Sequence, residues 1–151
     1  MLEPTLITYI LVIFGALLIF LPILYAQLLM ALRPHSQKTK DLLIGQGEDW
    51  HDKTHLRVSV GIAWSDLILW LPLLAAGSIG VLLGHAWGYA LWAASGAIAV
   101  YISIILWFSE REYVYPVCGP LAYYTYIWGM FVYWGVAVVA HAMWRLANLA
   151  L

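Results

Sequence analysis

The sequence predicts an all-α integral membrane protein whose four helices cross the bilayer up and down in one bundle, and three observations predict it. Of its 151 residues, 64% are hydrophobic and only 10% are charged, whereas soluble domains run near roughly 45–50% apolar and about 25% charged. A soluble fold this small keeps much of its surface in water and has no interior large enough for that excess. Four long apolar stretches divide the chain: residues 5–32 carry no charge, 58–84 only Asp66, 86–109 none, and 116–144 only His141. Each exceeds the ~20 residues a helix needs to cross about 30 Å of hydrocarbon. The stretches are also continuous, without the alternation of a barrel strand, so their backbones must satisfy themselves as helices. A single domain, residues 1–151, follows.

The first stretch is expected to stay on the chain. Glu3 is the only charge before Arg33, so the basic region of a cleavable leader is missing, and the stretch is too long for a leader's apolar core. Pro22 lies mid-helix and should kink it, as Pro72 should kink the second span. The heptapeptides around them, Phe20–Ala26 and Trp70–Ala76, look alike, which in so Leu-rich a chain is read as chance. The loop 33–57 is the only sizeable polar segment. Its last part, Glu48 to Arg57, has no Gly or Pro, so it is expected to extend the second helix beyond the hydrocarbon, with Trp50 at headgroup level. Gly84-His85 allows a tight turn into the third span, and Pro116 and Pro120 suit the first turn of the fourth.

Loop charges orient the bundle. Arg33, Lys38, Lys40, Lys53 and Arg57 in the first connection and Arg111 in the third make six of the seven Lys and Arg residues, leaving Arg145 opposite. The positive-inside rule then puts the first and third loops in the cytoplasm and both termini outside. Close-packing faces of small residues recur: Ala76, Gly80 and Gly84 on the second span, Ser95, Ala99 and Ser103 on the third, Ala122, Thr125 and Gly129 on the fourth. Such Gly/Ala/Ser faces join helices within one bundle or between copies of a homo-oligomer.

Asp66 is the most informative residue. It lies nine positions past Arg57, about 13 Å along a helix, where an ionised carboxylate costs about 2.5–3.5 kcal/mol on insertion scales. It must be paired, hydrated or protonated. At 100° per residue it shares a face with Leu73, Gly77, Gly80 and Gly84, so it should point into the bundle. Backwards, the same stripe collects Ser59, His55, Asp52 and Glu48. Gln27, Tyr123, Tyr124 and Tyr126 come at similar depth and are its expected neighbours, with Glu110 at the end of the third span. A structural hydrogen bond to a neighbouring helix is the competing account of Asp66. The fourth span is rich in aromatics, Tyr126 to Trp134 lying deeper than an interface belt. They either fill the core or line a cavity for a flat apolar or cationic ligand.

Other chemistries have weaker signals. Glu48-x-x-His51 has the spacing of carboxylate-bridged metal sites, and His51 and His55 are four apart, but a solvated interfacial segment explains them as well. His85 and His141 fall near the opposite face and fit a loop and an interfacial histidine better than a haem or copper pair. With one cysteine, Cys118, the chain cannot form an internal disulfide or a cysteine-built metal site. No cofactor is expected, and the net charge of −1 with no basic, aromatic-studded soluble segment argues against nucleic acid. Phosphate-loop, serine-hydrolase and zinc-protease motifs are missing from the sequence.

Three functions fit what remains. The first is a non-catalytic ligand-binding or accessory module. It would hold an apolar or amphipathic small molecule with Asp66, Gln27, Tyr123, Tyr126 and Trp134. The second is a proton-coupled small-molecule carrier, oligomeric because four spans rarely enclose an alternating-access site alone. The third is a membrane enzyme acting on a lipid or isoprenoid-like substrate, with Asp66 or Glu110 as catalytic acid or base.

Overall fold

The first three helices begin where a side chain takes up the backbone N–H groups that the first turn leaves unpaired. The computed structural model describes residues 2–111, 119 and 122–148. In α1, Leu6–Leu32, the Thr5 hydroxyl accepts the Thr8 N–H at 3.3 Å while the Thr8 hydroxyl accepts the Thr5 N–H at 3.2 Å, a reciprocal cap made with two threonines. Ser36 caps the short α2, Gln37–Leu43, a helix inside the polar loop 33–57. Asp52 caps α3, Lys53–Leu82, its carboxylate accepting from the N–H groups of Thr54 and His55 at 2.6 and 2.8 Å.

That last cap corrects one expectation. The second span does not continue back to Glu48, because a carboxylate at residue 52 offers the exposed N–H groups a better partner than another turn would. Glu48 and His51 therefore precede the helix, in non-helical chain, and the helical spacing that tied them to His55 and to each other is not present.

The turn between α3 and α4, Ala86–Ser109, needs Gly84, whose φ of +73° excludes a side chain at little strain. Leu2 donates its N–H to the Gly84 carbonyl at 2.8 Å, so the start of the chain docks on this turn. A π-helical turn, Tyr123–Trp128, leads into α5, Gly129–Ala147. Pro116, Cys118 and Pro120 lie outside the described residues.

Two further π turns precede the two mid-helix prolines. Gly15–Phe20 ends where the Leu21 N–H reaches the Ala16 carbonyl, and Asp66–Trp70 where the Leu71 N–H reaches the Asp66 carbonyl, both five residues back. Proline lacks an N–H and its ring strikes the carbonyl four residues earlier. Widening the preceding turn relieves that clash and keeps the helix continuous. The similar heptapeptides thus share a local structure. Each extra residue also shifts the helical phase: above Asp66 the buried face runs through Trp70, Leu71 and Leu74 to Gly77 and Gly80, with Leu73 only half-buried.

Among the described residues, four helices are long and apolar enough to cross a membrane: α1, α3, α4 and the stretch Thr125–Ala147. Their small residues meet one another inside the bundle. A Cβ on Gly80 would lie 2.6 Å from the Gly88 Cα, one on Gly77 2.9 Å from the Trp92 nitrogen, and one on Gly135 2.6 Å from the Gly96 carbonyl oxygen. Ser95, Ala99 and Ser103 are buried on the same α4 face. Against α1, Gly15 leaves room for the Trp134 indole, whose ring a Cβ would approach to 2.9 Å. The outward faces are apolar, with Leu6, Ile68, Leu69, Ile79, Tyr101 and Tyr133 more than half exposed. So large an apolar exterior fits helices that can cross a membrane.

Two consequences are measurable. Gly88→Ala should lower the melting temperature in detergent, since its Cβ would strike the Gly80 backbone. Gly61→Ala, with nothing within 4 Å, should leave stability unchanged or raise it by up to about 1 kcal/mol through helix propensity; equal effects would refute the close contact. Backbone hydrogen bonds to Asp52, His55 foremost, hold its carboxyl below the ordinary 3.8. A depressed carboxyl stabilises the cap above its ordinary value and loses that contribution as pH falls through its folded value. Protection of the Thr54 and His55 amides from exchange should therefore collapse in acid below about pH 3.8, and Asp52→Ala should abolish this pH dependence.

Candidate functional site

Antiparallel packing of α1 on α3 brings two polar side chains together within the apolar stretches. Asp66 is 5% exposed, and the Gln27 amide nitrogen donates to its Oδ2 at 2.7 Å. The expected inward orientation of Asp66 and its expected partner are both present. Gln27 serves a second surface as well. With Ser59, Glu110, Trp50 and Trp128 it lines a cavity of about 50 Å³ at the end of the bundle where α1, α3, α4 and the π turn of α5 converge. Met30, Ile62 and Leu106 supply the apolar part of the wall.

The loop before α3 covers this end. The Thr39 hydroxyl donates to the Arg33 carbonyl at 2.8 Å, Lys40 pairs with Asp49 at 2.7 Å, and the Gly47 N–H reaches Asp41 at 3.0 Å. These contacts turn the chain so that the Trp50 indole N–H donates to the Pro34 carbonyl at 2.9 Å while its ring stands edge-on to His55, centroids 5.1 Å apart. The hydrogen bond from Lys40 holds the Asp49 carboxyl below its ordinary range, as the Gly47 N–H does for Asp41. His55 is buried, its Nε2 3.8 Å from Glu110 Oε2. The Ser59 hydroxyl donates to the His55 carbonyl at 2.9 Å.

The remaining candidates fall elsewhere. Tyr126 is 76% exposed, and the side chain of Tyr123 lies outside the described residues. Trp134 is buried in the middle of the bundle, donating to the Leu11 carbonyl at 3.1 Å and meeting Trp92 edge-on. Glu48 and His51 are exposed, and among the described residues no three His, Cys, Asp or Glu side chains gather as a metal-ligand set.

The far end of the bundle holds a second polar group that sequence reasoning did not assemble. The Thr8 hydroxyl lies 3.0 Å from His141 Nε2 and 3.5 Å from the Tyr89 hydroxyl. Arg145 lies over the Tyr89 ring and donates to the Glu3 carbonyl at 2.6 Å. His141 thus meets a side-chain hydroxyl instead of backbone, and His85 stacks on Trp87. The one signal for Thr8 was its place in the cap, three residues after Thr5. Comparison with protein-family models, with characterised proteins and with solved structures found no match.

A double-mutant cycle tests the central pair. Gln27→Leu should destabilise the protein by about 1–3 kcal/mol because it strands a buried acid. Asp66→Leu alone should cost a similar amount, whereas the double substitution should recover most of the loss. Simple additivity in detergent unfolding would show that the two side chains are not coupled.

Proposed function

We propose that this chain is an integral membrane protein with four spans, both termini outside and its first and third loops in the cytoplasm. We infer further that it works as a non-catalytic module, binding an amphipathic small molecule in the cavity at the cytoplasmic end. The apolar exterior and the six basic residues of the first and third connections support the topology. The binding reading rests on Gln27, which at once satisfies the buried carboxylate and lines the cavity. Acid–base catalysis needs groups converging on one reacting atom at about 2.6–3.2 Å. Here Asp66 is engaged by an amide, and Glu110 is the one acid among the described lining residues.

The same contact favours a second reading, a proton-coupled carrier, because Asp66 stands one hydrogen bond from the cavity. The two are separable. For a binding module, native mass spectrometry of protein released from nanodiscs should show a retained small molecule that Ser59→Leu, which fills the cavity, removes. A carrier should instead give pH-driven uptake into liposomes that Asp66→Asn abolishes. Identical bare masses for both proteins would overturn the binding reading. A C-terminal reporter active only outside the cell should be active; silence would reverse the topology.

A further inference from the structure

The polar wall of the cavity presents three acceptor oxygens. Gln27 gives one amide N–H to Asp66 and keeps a second, and its carbonyl oxygen is an acceptor. Ser59 has a single hydroxyl proton, and the His55 carbonyl takes it, so what it can offer a ligand is lone pairs. Trp50 has one N–H, and Pro34 takes it, so its π face is what remains. Glu110 adds a carboxylate, which in its ionised form only accepts. Its His55 neighbour at 3.8 Å is beyond a direct hydrogen bond. No Lys or Arg is among the described lining residues.

A ligand that suits such a wall carries positive charge and several donors at one compact head. The volume of about 50 Å³ holds roughly three to five water-sized groups, at about 10–15 Å³ each. An ammonium group with its first one or two methylenes fills that space. Indole faces attract cations, and Trp50 and Trp128 both line the cavity. Met30, Ile62 and Leu106 then receive the apolar continuation of the molecule.

We propose that the cavity recognises a primary ammonium group, its three N–H donors directed at the Gln27 carbonyl oxygen, the Ser59 hydroxyl oxygen and the Glu110 carboxylate. This rests on the binding reading above and names the class of its ligand. The ammonium group can belong to the headgroup of an aminophospholipid or to a free alkylamine, since both present the same chemistry.

The test is equilibrium binding of n-hexylammonium and of its neutral counterpart 1-hexanol to purified protein in detergent, followed by tryptophan fluorescence. Hexylammonium should bind at least ten-fold more tightly than hexanol, and Glu110→Gln should remove that preference while the helical circular dichroism is unchanged. Equal binding of the two probes, both lost in Ser59→Leu, would overturn the ammonium assignment and leave the cavity reading in place. No saturable binding of either probe, with or without Ser59→Leu, would overturn both. In nanodiscs, weaker apparent hexylammonium binding with phosphatidylethanolamine than with phosphatidylcholine supports the site and names the lipid as its source. Equal affinities in the two lipids support it with a free amine as the ligand.

Discussion

A polar side chain buried in so apolar a bundle gains most from a partner within it, and three such bonds join the helices here. The Gln27–Asp66 pair joins α1 to α3, the Trp134 indole ties α5 to the Leu11 carbonyl of α1, and the Trp70 indole ties α3 to the Ser95 carbonyl of α4 at 3.0 Å. Each bond crosses between helices that the chain already brings side by side. Close approach through Gly80 and Gly88, and through Gly96 and Gly135, packs α3, α4 and α5 backbone to backbone. Contact by dispersion alone fixes few registers. The polar bonds between helices then select one.

Much of this was legible in the sequence. Long apolar stretches with at most one titratable residue marked the four helices, and the lone acid within them pointed to both its own orientation and Gln27 as its partner by depth. Other features were not legible, for two physical reasons. Helical phase counted at 100° per residue takes no account of the extra residue in a π turn, so next to that turn the count falls on Leu73 where Leu71 and Leu74 are buried, while Gly77, Gly80 and Gly84 lie on the inner face as expected. Capping was the other. Asp52 reads equally as a helix residue and as an N-cap, and only the contacts of its carboxylate with Thr54 and His55 decide between them.

The aromatic residues of α5 show where composition misleads. Trp134 and Tyr126 belong to the same run of sequence, yet one is buried against Gly15 and Trp92 while the other is exposed. Their fates follow from the partner helix: an indole enters the core where a glycine opposite leaves room for it. A count of aromatics along one span cannot reveal that, because the room is made by another. Trp50 is the reverse case. The sequence places it on an extension of the second helix, but the ion pair and turn contacts of residues 36–49 set it in non-helical chain over the end of the bundle, as part of a cavity wall.

The two ends of the bundle differ in how their polar groups balance. At the end holding His141, donors and acceptors answer one another: the Thr8 hydroxyl stands between an imidazole and a phenol, and Arg145, on the last turn of α5 where the helix dipole also favours a cation, donates to the Glu3 carbonyl. Such a cluster holds the start of the chain to α4 and α5. At the other end, the Ser59 hydroxyl, the Trp50 indole N–H and one of the two Gln27 N–H groups donate to protein, and acceptor oxygens and ring faces stand around the cavity beside a carboxylate. Acceptors left in surplus around a space are a demand for donors from outside. The His141 end works as a structural clamp, and the acceptor oxygens described around the cavity at the Glu110 end are what the proposed ammonium site rests on.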